Sequence, residues 1–339
     1  MVGANDEPSR GMGCADLFSM ALALRGSSHF FRPFKRRGNA MTRRDVEFDA
    51  AGVTLRGWFY LAEGSTGTAP TIVISHGFSA VKEMYLDRFA EVFAANGCNA
   101  LVYDNRNFGT SDGLPRQEID PWAQVRDYRD AITYAITLPE TDASRIGIWG
   151  SSYSGGHVLV VAAVDRRVRA VVSQVPLISG YENVRVLVRS DFIDSFREQF
   201  DADRLARFRG EPPAMVPVVV ENPLDPAALP TADSWQWFTD TGKTRAPNWK
   251  NEVTLRSVEM LGEYNPVDYI AQISPTPLLL MPALNDTLVP SRFAIAAYEK
   301  ALQPKRLEIL PGGHFDAYVK GFDTSSAAAL AWFREHLAS

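Results

Sequence analysis

The sequence predicts an α/β fold: a mostly parallel sheet flanked by helices, with an inserted cap. Three observations carry this. Short apolar runs rich in β-branched residues alternate with segments of helical spacing from about residue 71 onward. The alternation stops between residues 178 and 262 and then resumes. The chain has 339 residues, 46% of them hydrophobic and 22% charged, enough to bury the core of one large sheet domain.

The elements follow in order. Residues 45–50 and 53–61 read as a hairpin across Ala51-Gly52. Residues 71–75 and 99–103 are short, mainly apolar runs typical of strands buried on both faces. Between them, Met84, Phe89, Val92 and Phe93 recur at helical spacing, so a helix is expected over 80–95, stopped by Gly97. A helix over 122–137, a strand over 145–149, a helix over 154–164 and a strand over 168–174 continue the alternation. After the interruption come strands at 277–282 and 306–310, a helix at 291–301 between them and a last helix at 325–336. The core is therefore assigned to 41–177 and 263–339. The stretch 178–262 is rich in proline, carries Trp235, Trp237, Phe238 and Trp249, and shows no strand-helix rhythm. It is too long for a plain loop and reads as a cap over the C-terminal edge of the sheet, where open α/β sheets bind ligands.

Composition removes several classes. A net charge of −5 argues against a nucleic-acid partner. No run of about 18 apolar residues exists, so no membrane span is expected. The two cysteines, Cys14 and Cys98, form no disulfide framework, and a cytoplasmic, reducing compartment is expected. Residues 1–40 stand apart as an N-terminal arm, with six Lys or Arg against three Asp or Glu. Their apolar run, 14–24, precedes the basic cluster, the reverse of a secretory signal, and Met41 is a plausible alternative start. No metal cluster and no phosphate-binding loop appears, so no cofactor is expected. A homodimer is the commonest oligomer of soluble chains and is expected on that ground alone.

The chemistry concentrates in Gly150-Ser151-Ser152-Tyr153-Ser154-Gly155-Gly156, placed between a strand and a helix. This is the setting of a nucleophile elbow, a tight, strained turn that small neighbours make passable. Ser152 is the candidate nucleophile; the rival register, centred on Ser154, lies two residues further from the strand. A serine hydroxyl needs a general base, and histidine suits neutral pH. Of five histidines, His29 lies in the arm, His157 inside the elbow helix and His336 near the C-terminus. His314 follows the final strand in Pro311-Gly312-Gly313-His314 and is the candidate base. Asp286 is the sole carboxylate in the loop after strand 277–282 and is the candidate partner of the imidazole. Donors for an oxyanion are expected from the backbone N–H groups of Tyr153 and of Phe78 in His76-Gly77-Phe78-Ser79. His76 is expected to hold that loop, and the polar 104–113 segment to be a hydrogen-bonded turn. A serine with a base, an acid partner and two oxyanion donors, Ser152, His314, Asp286 and the N–H groups of Tyr153 and Phe78, is suited to acyl transfer through a covalent intermediate. Tyr181, Trp235, Trp237, Phe238 and Trp249 are candidate contacts for a small-molecule ester or thioester with an apolar part.

These residues resemble the α/β-hydrolase fold superfamily, from about residue 45 to the C-terminus. The Gly-x-Ser-Tyr-x-Gly elbow resembles the serine esterase and X-Pro-peptidase-like branch. The run His76-Gly77-Phe78-Ser79-Ala80-Val81-Lys82-Glu83-Met84-Tyr85 is similar to the fungal polyketide-transferase-like group and its bacterial hydrolase relatives. The resemblance implies acyl chemistry without a cofactor: a carboxylesterase-type serine hydrolase, or an acyltransferase moving an acyl group from a thioester to an alcohol. A non-catalytic binding protein on the same scaffold would require a broken constellation, and none is visible. Ser152 in the nucleophile position argues against dehalogenases, epoxide hydrolases and dienelactone hydrolases.

Overall fold

A computed structural model describes residues 42–188 and 190–338. The expectations for the 1–40 arm, its 14–24 run, His29 and Met41 lie outside the described residues. In chain order the first half comprises β1 (Arg43–Ala50), β2 (Val53–Tyr60), β3 (Ala69–Ser75), α1 (Leu86–Ala94), β4 (Asn99–Tyr103), α2 (Pro121–Thr137), β5 (Thr141–Ser151), α3 (Tyr153–Val164) and β6 (Val168–Gln174). Then come α4 (Gly180–Leu187), α5 (Ile193–Phe208), β7 (Met215–Val216), α6 (Ala232–Thr244), β8 (Val253–Thr254) and α7 (Leu255–Glu263). The chain closes with β9 (Leu278–Met281), α8 (Ser291–Lys300), β10 (Lys305–Leu307) and α9 (Phe322–His336).

Eight strands form one sheet in the order β1-β2-β4-β3-β5-β6-β9-β10. β2 pairs antiparallel with β1 and β4, and every other pairing is parallel. The β1–β2 turn works because Ala51 and Gly52 both take positive φ, 53° and 84°, which suits the right-handed twist of a hairpin. Ile72, Val73 and Ile74 of β3 are all fully buried, as expected of a parallel strand covered on both faces. α3 is buried along nearly its whole length, wedged between the sheet and the 3₁₀ segment Pro266–Gln272. At Gly156 a Cβ would come within 2.7 Å of both Leu177 O and Pro266 Cγ, so only glycine lets α3 lie this close.

The structure departs from the sequence reading in three places. α1 starts at Leu86 rather than near residue 80, because Tyr85 sits in the left-handed region at φ 73°. The preceding residues are held as turns, with the Lys82 backbone N–H donating to Asp104 Oδ1 at 2.8 Å. β10 ends at Leu307, and only a single bridge, Ala283 to Leu310, continues the pairing toward the His314 loop. Finally, the 178–262 stretch has regular structure: α4, α5, α6 and α7, with the two-residue ladder of β7 and β8. Its helices carry the signals of ordinary starts. Ser179 Oγ accepts from Glu182 N at 3.2 Å, and Thr231 Oγ1 from Ser234 N at 3.3 Å.

Candidate active site

Ser152 stands between the last residue of β5 and the first of α3, at φ 59° and ψ −118°. A non-glycine residue there carries a strain of about 1–3 kcal/mol unless its surroundings hold it. They do: the Ser152 N–H donates to Gln174 O at 2.9 Å, and the Ser152 carbonyl accepts from Leu177 N at 2.9 Å. Gly150 and Gly155 permit the turn, since a Cβ on either would come within 3 Å of the Ser154 or Gln174 carbonyl oxygen. The result aims the Ser152 hydroxyl at the loop after β10.

His314 opens the short 3₁₀ helix His314–Tyr318 and is 1% exposed. Its Nε2 lies 3.0 Å from Ser152 Oγ, and its Nδ1 lies 2.7 Å from Asp286 Oδ2. Asp286 does not cap α8. Its other oxygen accepts from the backbone N–H groups of Leu288 and Val289 at 2.9 and 2.8 Å, which fixes the carboxylate within its own turn. With Nδ1–H donating to that carboxylate, Nε2 is left free to accept the serine proton. Ser154, the rival, is fully buried, and its Oγ has no hydrogen-bond partner among the described residues.

The loop after β3 passes directly against the serine. A Cβ on Gly77 would lie 2.7 Å from Ser152 Cβ and 3.1 Å from its Oγ. Phe78, the next residue, packs its ring edge-on against Tyr153 at 5.6 Å between centroids. Neither the Phe78 nor the Tyr153 N–H has a protein acceptor among the described residues; for Tyr153 this follows from its place at the first position of α3. His76 holds this loop: its Nδ1 accepts from Gly77 N at 2.8 Å and its Nε2 donates to Met84 O at 2.8 Å. Burial lowers its pKa to about 4, so it is neutral at pH 7. His157 is neutral for the same reason, lowered to about 3, with Gln124 Oε1 and the Tyr264 hydroxyl on its two nitrogens at 2.9 and 3.0 Å. The 104–113 segment is a tied turn: Asp104 accepts from Lys82 Nζ at 2.7 Å and from Thr110 N and Oγ1 at 2.9 Å.

The aromatic residues of the 178–262 stretch divide. Trp237 of α6 stacks on Phe315, the neighbour of His314, at 4.8 Å, and Phe238 stacks on Trp249 at 5.2 Å. Phe238 also meets Phe315 at 5.9 Å. These three therefore build a single aromatic layer against the His314 helix. Trp235 lies instead beside Pro217, Val219 and Asn251, in a cavity of about 620 Å³. Tyr181 is 55% exposed on α4, where Arg185 covers its ring. A second cavity, of about 590 Å³, lies at the opposite edge of the sheet, lined by Arg145, Arg166, Arg169 and Pro277. Sequence reasoning missed the contact of Gly77 with Ser152 and a bridge from Ser151 to Tyr318. The glycine beside His76 was a signal for the first; the second pairs residues 167 positions apart and left no local trace.

Comparison with known proteins shows the family and the fold. A family model described as the alpha/beta hydrolase fold matches residues 70–321. A protein named thiohydrolase from Eupenicillium brefeldianum is 36% identical over 279 residues, covering 81% of this chain and 88% of that one. The polyketide transferase claH of Penicillium crustosum is 32% identical over 288 residues, covering 82% and 92%. The crystal structure of the alpha/beta hydrolase GrgF from Penicillium sp. sh18 superposes with a TM-score of 0.77 at 29% identity, over 88% of this chain and all of that one.

Proposed function

This chain belongs to the α/β-hydrolase family, and from that premise we propose that it is a serine hydrolase cleaving carboxylic esters or thioesters through an acyl-enzyme on Ser152. The observation that carries the reading is the unbroken hydrogen-bonded line from Asp286 through His314 to Ser152, 2.7 Å and 3.0 Å long. In this mechanism Ser152 Oγ attacks the carbonyl carbon while His314 Nε2 takes the hydroxyl proton. Asp286 keeps the imidazole in the Nδ1–H tautomer and stabilises the imidazolium. The N–H groups of Phe78 and Tyr153 receive the tetrahedral oxyanion, and each such donor is worth on the order of 3 kcal/mol to the transition state. Collapse expels the alcohol or thiol, which leaves with the proton from His314. Water then attacks the acyl-enzyme with His314 again as base, releasing the acid and restoring Ser152.

The 178–262 stretch acts here as a cap, with Trp237, Phe238 and Trp249 forming its inner aromatic face. That face favours a substrate with a bulky apolar part. Tyr181 and Trp235 are proposed only as outer contacts. The names of the relatives support thioesters as well as esters. The polyketide transferase name supports a second reading, in which an alcohol replaces water as acyl acceptor on the same intermediate. The test is a p-nitrophenyl ester series of increasing acyl length, read by the nitrophenolate burst and the intact mass. Wild-type protein gives a burst and an acyl adduct. Ser152→Ala loses both, with turnover down by about 1000-fold or more. Full activity in Ser152→Ala would refute the reading.

A further inference from the structure

The hydrogen bond between His314 and Ser152 has a neighbour. Tyr318 closes the same 3₁₀ helix that His314 opens, and Ser151 directly precedes Ser152. The Tyr318 hydroxyl and Ser151 Oγ lie 2.5 Å apart. Two hydrogen bonds thus run between the same pair of segments: base to nucleophile, and phenol to the residue before it. Both partners of the second bond are at most 1% exposed, so water does not compete for it.

The surroundings of this bond tie it to the rest of the site. Gln174 Nε2 donates to Ser151 Oγ at 3.3 Å, and the Gln174 carbonyl accepts the Ser152 N–H at 2.9 Å. One residue at the end of β6 therefore holds both serines. The Tyr318 ring stacks on His76 at 5.6 Å, and His76 anchors Gly77 beside Ser152. The ring also meets Trp237 at 5.3 Å, and Trp237 in turn meets His76 at 6.0 Å. Burial raises the Tyr318 pKa, so it stays a neutral phenol and takes no proton from the reaction. Its ring touches the donor loop and the aromatic layer, and its hydroxyl touches the elbow.

We propose that Tyr318, through its bond to Ser151, is a positioning residue that sets the distance between His314 and Ser152. The proposal rests on the reading of Ser152 as nucleophile and His314 as base. Without the bridge, the one hydrogen bond left between the 3₁₀ helix and the elbow among the described residues is His314–Ser152 itself, which must break and re-form in each turnover. With it, the imidazole returns to the same place each time. A misplacement of 1 Å costs about 100-fold in rate, so a bond that restrains a fraction of that distance is worth about 10-fold.

The experiment uses a fluorophosphonate, which modifies an activated serine whatever the native substrate. The rate constant for labelling Ser152, located by peptide mapping, is measured for wild type, Tyr318→Phe, Ser151→Ala and the double variant. Each is normalised to its folded fraction from a thermal melt. A p-nitrophenyl ester supplies kcat and KM. Each single variant is expected to label about 10-fold more slowly, with kcat lowered and KM unchanged, and the double variant no more slowly than either single. A purely structural role would lower the melting temperature and leave the rate per folded molecule intact. Labelling of both single variants within about twofold of wild type, or losses that multiply in the double variant, would overturn the proposal. Failure of wild type to label at Ser152, or unchanged labelling of Ser152→Ala, would instead remove the nucleophile reading and this proposal with it.

Discussion

At the scale of single residues the site depends on what is missing as much as on what is present. Gly77 has no side chain where a methyl group would sit 2.7 Å from Ser152 Cβ and 2.9 Å from Ser151 O. Backbone and a strained turn lie on that side, so nothing can give way cheaply. Gly77→Ala is therefore expected to push the donor loop off the serine and lower kcat/KM on a p-nitrophenyl ester by about 100-fold. The loss of stability should stay within the few kcal/mol typical of overpacking. Kinetics combined with a urea melt checks both, and activity near wild type would show that the two loops do not need this approach. Ser152, Asp286 and His314 were legible in the sequence because each sits in a short loop with a local signature: an elbow, a lone carboxylate, a glycine pair. Gly77 left a signal as the glycine beside His76, but its contact with Ser152 and the bridge from Ser151 to Tyr318 were not read. Their roles lie in contacts with distant segments, and a single sequence encodes such contacts only through the completed fold.

At the scale of elements the same distinction recurs. The buried strands β3, β4 and β6 could be read from their composition, since a strand covered on both faces is apolar along most of its length. α1 was read as starting six residues too early, because the apolar residues at 80–84 are core residues in a non-helical turn that Asp104 holds from the end of β4. The helices of 178–262 were missed although their starts carry Ser179 and Thr231; prolines between them hid the rhythm. α3 was read almost to the residue, but what binds it to its neighbours was not. His157 joins α3 to Gln124 of α2 and to Tyr264 beyond α7. This joint makes the elements acid-sensitive. In the folded protein, burial lowers His157 to about 3 and His76 to about 4, whereas unfolded imidazoles protonate near 6.5. As pH falls below about 6.5 the unfolded chain takes up protons that the folded one refuses, so stability is full above that pH and declines toward pH 4. At about 1.4 kcal/mol per pKa unit the two sites together cost on the order of several kcal/mol. The urea midpoint is expected to fall between pH 7.5 and 4.5, and to fall less in His157→Gln. Midpoints that do not move with pH would contradict the joint.

At the scale of the molecule, loops from separate elements converge on one edge of the sheet, after β3, β5, β9 and β10. The 178–262 stretch supplies the aromatic layer that meets the last of them. A relative named thiohydrolase and one named polyketide transferase each align with about four-fifths of this chain, so their names leave open which acceptor the proposed acyl-enzyme would use. The arrangement does imply something about the order of events. In the mechanism proposed above, one serine and one base serve both halves of the reaction, and the first leaving group departs before His314 activates an acceptor. The acyl-enzyme therefore retains no trace of the leaving group. A p-nitrophenyl ester and a thioester carrying the same acyl group are then expected to give one ratio of free acid to new ester at a fixed concentration of added alcohol. Chromatography of the products after complete turnover measures it. Different ratios from the two donors would mean that the acceptor attacks while the leaving group is still bound, and no common intermediate on Ser152 would then account for the chemistry. A common ratio would at the same time rank water against alcohol: acid alone marks a hydrolase, and ester that grows with alcohol concentration marks a transferase built on the same three residues.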